Sequence, residues 1–406
     1  MKKITARTIM LLSAFGFAFA ASPKEKIITN GWADAGKLSY ADESKKIVID
    51  DASYPDPVSK RKAFTNAIGK SGQAFIVLSG EIDLSDGKVS DSDHSYFDAF
   101  DKTSGARVHD DIKYLLTSNK TLIGTDNATI KFGGITIPAG SKNIIIRNIT
   151  FWDAHGSTEY NTKVAKYKDK KASSDSLVIE YKDSQPITSD VWVDHCTFSD
   201  GTCSDLERNF NHDGQFDIKA GKNITISYCE FTNHDKVMLI APSDSYSKQE
   251  DRQITLHHNY FHGVVQRLPR ARGCQMHIYN NVYDDIGVAK NSGSIFGPGF
   301  ASLFIIENNF VGKTQGAVLK YYDKSSEGDK TFSKVYRTGN SKEITDSNTS
   351  FDKVNKVNSL KAHLSSEPVF KIPYDYNLED AKTLKDSVVA AAGANKVKIE
   401  VNGAEY

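Results

Sequence analysis

ITLHHNYF, residues 254–261, is a short run of β-forming residues that closes on an aromatic side chain. Working outward, the same pattern recurs as ITISYCEF (224–231), VWVDHCTF (191–198) and NIIIRNITF (143–151) on one side, and as MHIYNNVY (276–283) and LFIIENNF (303–310) on the other. The closing aromatics are Phe151, Phe198, Phe231, Phe261, Tyr283 and Phe310, at successive gaps of 47, 33, 30, 22 and 27 residues. Two positions before the aromatic, the last five rungs carry Cys196, Cys229, Asn259, Asn281 and Asn308. Like residues repeated in register imply strands stacked in parallel, with amides bonded along the stack and capping the turns.

The unequal gaps exclude propeller blades and helical repeats of fixed length. They suit an all-β, right-handed single-stranded parallel β-helix, in which loops between short strands vary freely. An ordinary sandwich of alternating strands would need hairpin turns such as Asn-Gly, which are scarce here. AFIVLSGEIDL (74–84) and TLIGTDNATIKFGGITI (121–137) read as earlier coils. Solenoids need capped ends. PVSKRKAFTNAIGK (57–70) predicts a short amphipathic helix over the N-terminal coil, with proline near its start. Residues 322–365 are weakly patterned and read as long surface loops. LEDAKTLKDSVVAAA (378–392), with acids in its first turn and Gly393 past its end, predicts a second helix. Residues 21–406 are expected to form one catalytic domain, its 322–406 loops and tail folded back on the coils.

Composition is that of an ordinary globular protein, with 39% hydrophobic and 25% charged residues. Residues 1–20 read as a secretory signal peptide. Lys2, Lys3 and Arg7 are followed by an apolar run too short to span a bilayer, then by Ala18-Phe19-Ala20. Without that segment 48 basic residues face 51 acidic ones, a net charge of −3. Attraction to a polyanion must then be local rather than a property of the whole molecule. The expectation is a secreted, extracellular monomer that engages neither nucleic acid nor membrane. Export permits disulfides among Cys196, Cys203, Cys229 and Cys274, in three possible full pairings, and the expectation is a single structural bridge or buried free thiols.

Local positive charge is concentrated in QRLPRARG (266–273), where Arg267, Arg270 and Arg272 surround Pro269. Neighbouring segments supply Asp213 and Asp217 in HDGQFDIK, Lys236 in HDKVMLI and Asp175 in SSDSLVIE. Parallel stacking brings such residues to within about 5 Å per coil. Each feature alone has a plain explanation: two acids on a surface, a solvated lysine, a salt-bridge patch. Together they make a mixed-charge groove that fits an anionic polymer bound partly through a hard cation such as Ca²⁺, which takes carboxylate oxygens and bridges to acids on the ligand. Asp194-His195 reads as a turn or supporting pair rather than a catalytic dyad.

VWVDHCTFSDG (191–201), HDGQFDIK (212–219), ITISYCEFTNHDKVMLI (224–240) and above all VVQRLPRARGCQMHIYNN (264–281) resemble the pectate lyases of the pectate lyase/pectin lyase superfamily. The resemblance runs from about residue 121 to 310, and IPYDYNLEDAKTLKDSVVAAAGA is similar to the family's closing segment. It implies the parallel β-helix already indicated by the rungs. It also implies β-elimination across the glycosidic bond of polygalacturonate (pectin) as the activity and Ca²⁺ as the cofactor. By this resemblance Asp175, Asp213 and Asp217 ligate calcium, Lys236 and Arg272, flanked by Arg270, hold substrate carboxylates, and Arg267 takes the proton. A basic arginine is unusual, because the guanidinium stays protonated in nearly all proteins. Crowding by Lys236, Arg270, Arg272 and calcium, together with an alkaline working pH, would relieve this. Pro269 is expected to turn Arg267 and Arg272 to one groove. Two departures stand out: Ser173 where relatives often carry a further acid, and Gly273-Cys274 where the family commonly has an aromatic followed by glycine. Rival readings are a calcium-free pectin lyase, a polygalacturonase using water and paired acids, and a non-catalytic polysaccharide-binding solenoid.

Overall fold

The computed structural model describes residues 26–99, 101, 104, 106–157, 159–160, 170–171, 173–202, 211–243, 246–287, 294–322, 332–351 and 363–406. The expected signal segment and Cys203 lie outside them. Twenty-five strands join in one sheet that winds around a continuous apolar core, the architecture of a parallel β-helix. Its first face runs from Ile47–Ile49 through Ala74–Asp83 and onward to Lys334–Thr338. The second face runs from Thr150–Trp152 to Phe310–Val311. The third runs from Lys113–Leu115 to Thr349–Phe351.

Alternation explains why these runs form coils. On the first face Ile144, Val191, Ile224, Ile254, Met276, Phe304 and Val335 stand in one register column, all fully buried. At the following turn Asn148, His195, Tyr228, His258, Asn280 and Asn308 adopt left-handed backbone, with φ of 48 to 59°. That bend aims the next side chain into the core. The closing aromatics then stack from Phe151 through Phe198, Phe231 and Phe261 to Tyr283, with ring centroids 4.8 to 4.9 Å apart. This is the spacing of hydrogen-bonded strands.

The last rung departs from the sequence reading. Tyr279 pairs with Glu307, so Asn281 faces Asn309 and Tyr283 faces Val311. A slip of one residue sends every side chain to the other side. Asn309 therefore takes the ladder position expected of Asn308, and Val311 the core position expected of Phe310. The ladder runs Asn259–Asn281–Asn309–Asn340, each backbone N–H donating to the next side-chain oxygen at 2.9 to 3.0 Å. Cys229 extends it by donating its N–H to Asn259 Oδ1 at 2.9 Å. Cys196, Cys229 and Cys274 are buried free thiols.

Of the expected loops at 322–365, residues 323–331 and 352–362 lie outside the described residues, and the described part between them departs from a loop. Lys334–Thr338 adds a further coil, and Thr349–Phe351 pairs with Ala317–Tyr321. The capping helix is Pro57–Gly69, with Pro57 opening it and Asp56 accepting from the Ser59 N–H. Phe64 and Ile68 enter the core. The C-terminal helix is shorter than expected, Leu384–Ala391. Coil turns hold the segment ahead of it: Asn280 donates to the Asn377 carbonyl and accepts from the Glu379 N–H, and Asn308 donates to the Glu379 carbonyl. Leu384 and Val388 pack on Val282. The tail then returns to the N-terminal coils, where Ile399 and Val401 meet Phe75, Val77 and Ile123.

Candidate active site on the third face

Asp217 lies on the strand Phe216–Ile218, whose two ends are fully buried in the core. Alternation turns its carboxyl outward. On the next strand the Leu239 N–H donates to Asp217 Oδ1 at 2.8 Å, and Leu239 pairs with Arg270. Arg270 thus stands two strands, roughly 10 Å, from Asp217. Because Ala271 enters the core, Arg270 and Arg272 both face outward. Lys236 pairs with Gln266, the residue before Arg267. All seven expected residues therefore gather on the third face and its edge.

The acids converge. The Gly214 N–H donates to Asp175 Oδ1 at 2.7 Å. A side-chain carbon added at Gly214 would lie 2.5 Å from Asp217 Oδ1 and 3.0 Å from Asp175 Oδ1. Only glycine leaves that cradle open. Burial, then the charges of Asp217 and Asp213, push the Asp175 carboxyl well above the usual range. Burial and Asp213 raise Asp217 to about 6. Burial also works against ionisation of Asp213, but Lys236, whose Nζ lies 2.8 Å from Asp213 Oδ1, more than overcomes it and the pKa falls. The mutual repulsion of three carboxylates is relieved by a cation. A donor set of oxygens alone suits a hard ion such as calcium rather than a nitrogen- or sulfur-seeking metal.

Arg267 has φ of +64°, which costs a non-glycine residue on the order of 1 kcal/mol. Neighbours on both sides hold it there: its carbonyl accepts from the Met238 N–H at 2.9 Å, and the Leu268 N–H donates to the Ile295 carbonyl at 3.1 Å. The Leu268–Pro269 bond is cis. Among the described residues no acceptor meets the buried Arg267 Nε. Arg267 lies close enough to lower the pKa of both Asp213 and Asp217, and Arg272 also faces Asp217. Both arginines are thus within electrostatic reach of Asp217. Burial lowers the pKa of Arg272 against the opposing pull of Asp217. Arg270 lies over Tyr322, its guanidinium carbon 3.9 Å from the ring centre.

Asp194 and His195 do not join this group. They sit at the far turn of the first face, where Asp194 is paired with Arg147 at 2.8 Å, His195 at 2.7 Å and Ser227 at 2.6 Å. Three features escaped the sequence. Ser173 donates at 2.5 Å to Asp111, an acid brought by a segment 62 residues earlier, with Arg107 and Lys113 beside it. Tyr322 under Arg270 falls in a stretch without pattern. At Gly273 an added carbon would lie 2.3 Å from the Tyr246 carbonyl oxygen, so the neighbouring loop fills the space a larger residue would need. None has a local signal, because each depends on which loops meet.

The profile described as pectate lyase matches residues 1–397. Pectate lyase E of Dickeya chrysanthemi is 29% identical over 97% of this chain and 94% of its own. A pectate lyase of Bacillus subtilis (strain 168) is 31% identical over 73% of this chain and 68% of its own. Among solved structures, a pectate lyase bound to hexasaccharide superposes with a TM-score of 0.64, at 22% identity, over 93% of this chain and 100% of that one. With its parallel coils, its converging aspartates and this match along nearly its whole length, the chain belongs to the pectate lyase family.

Proposed function

We propose that the protein is an exported, calcium-dependent lyase that cleaves α-1,4-linked polygalacturonate by β-elimination. The observation that carries this reading is the convergence of Asp175, Asp213 and Asp217 beside Lys236, Arg267 and Arg272 on one outer face. The aspartates are the residues that would hold calcium. Bound there, calcium would bridge to a uronate carboxylate and stabilise the charge that develops on it. Lys236 and Arg272 are fixed donors for substrate carboxylates. Arg267, held rigid and carrying a guanidine nitrogen with no acceptor among the described residues, is the base. It takes the proton on the carbon next to the uronate carboxylate. The electron pair forms the new double bond, and the glycosidic oxygen on the neighbouring carbon leaves with the electrons of its bond and takes up a proton from water. The products are an unsaturated uronate at one new end and a free sugar hydroxyl at the other. The basic and apolar residues at the start of the chain support export.

The test follows ultraviolet absorbance on polygalacturonate. Absorbance should rise with calcium and stop on adding a chelator. Cleavage that yields reducing ends without absorbance would replace elimination by hydrolysis. Full activity in chelator would remove calcium from the reading.

A further inference from the structure

Behind the site lies a row of buried acids and imidazoles that the elimination does not use. Asp153 is fully buried and accepts from His94 Nε2 at 2.7 Å and from His212 Nε2 at 2.9 Å. His212 Nδ1 lies 3.5 Å from Asp200 Oδ2. Asp200 in turn holds His234, both carboxylate oxygens lying 2.9 Å from Nδ1. The other nitrogen of His234 ends the row. Its Nε2 meets the main-chain carbonyl of Asp213 at 3.1 Å and that of Lys236 at 2.9 Å. His94 and His155 stack face to face at 4.5 Å, and His155 Nδ1 lies 3.7 Å from Asp153 Oδ1.

Both nitrogens of His234 face oxygen acceptors. Asp200 holds the ring from one side while its far nitrogen meets the two carbonyls on the other. The two carbonyls it ties belong to a calcium aspartate and to the substrate lysine, 23 positions apart in sequence. Their side chains also meet, at 2.8 Å. The fold therefore holds this pair twice, once through side chains that must respond to ligand and once through main chain that must not.

We infer that His234, fixed by Asp200 and backed by His212 and Asp153, is a positioning residue that sets the distance between the metal-binding and substrate-binding halves of the site. This inference rests on the function proposed above. Residues that hold ligands in place typically change metal affinity or activity by about 10- to 100-fold when removed. His234→Ala should weaken calcium binding, measured by calorimetry without substrate, by at least about tenfold, and lower kcat/KM mainly through kcat. His234→Gln keeps a donor near the Nε2 position and should recover most of the calcium affinity. His277→Ala is the control: a fully buried histidine bound to Glu307 under the tail, remote from the site. It should cost stability while leaving calcium affinity and kinetics at the parent values. Parent calcium affinity in His234→Ala, or equal losses in His234→Ala and His277→Ala, would overturn the inference. Failure of the parent protein to bind calcium or to form absorbing product would instead overturn the proposed function.

Discussion

Two edges of the same coil answer opposite demands. At the ladder edge, Asn259, Asn281 and Asn309 bond to one another and to coil carbonyls, and the aromatic rings beside them stack at the strand spacing. At the site edge, three carboxylates repel one another, Arg267 holds a left-handed backbone, and its Nε has no acceptor among the described residues. The ladder satisfies its polar groups internally and so stabilises the fold. The site keeps three carboxylates crowded and the Arg267 Nε without an acceptor among the described residues, an arrangement that a cation and an anionic polymer would relieve. Stability and function have thus been placed on different turns of each coil.

That separation can be broken from either side. Arg267→Lys should give the largest change: turnover falls by about 10³-fold, the scale of a lost general base. Calcium and substrate binding should stay near parent values by calorimetry, as should the melting temperature. On the other edge, Phe231→Ala opens the aromatic stack and should cost about 3–5 kcal/mol in denaturant unfolding. The folded variant should keep its kcat/KM at low temperature. Asp175→Asn tests whether the site is strained without its ion. In chelator it should melt above the parent, because a repelling charge is gone. The parent should gain about 2.7 kcal/mol at calcium a hundredfold above Kd, a gain the variant should lose. A variant that melts below the parent in chelator would show that the aspartates stabilise the empty fold.

The smallest test sharpens the ladder edge. His257 sits beside its turns, fully buried, and burial followed by the neighbouring His258 lowers its pKa from the ordinary 6.5 to about 3. The unfolded chain takes up a proton below pH 6.5 while the folded chain does not until about 3. Its stabilising share is therefore complete above pH 6.5 and lost as pH falls toward 3. His257→Asn should make the fall in unfolding free energy between pH 7 and 5 shallower by about 2 kcal/mol. An unchanged slope would assign acid sensitivity elsewhere.

Much of this was legible beforehand because a solenoid writes its structure repeatedly. Phe198, Phe231 and Phe261 occupy matching places in their segments. The repeat failed where side chains mislead. Two adjacent asparagines and an aromatic in ENNF offered two registers, and alignment on Phe310 chose the wrong one. Only strand pairing, which must put Val311 into the core and turn Glu307 out of it toward His277 and Tyr376, selects Asn309. KVYRT, a single short strand in a polar stretch, hid a further coil.

The sequence by itself determined the coil, its core columns and the set of charged residues that would share a face, since a period-two pattern dictates which side chains turn outward. Tertiary structure alone decided what those residues meet. Asp111 beside Ser173, Tyr322 beneath Arg270, Tyr246 against Gly273 and His234 between two carbonyls all arise from loops and coils distant along the chain. Such contacts depend on how far each variable loop reaches, and the local pattern of residues carries no measure of that reach.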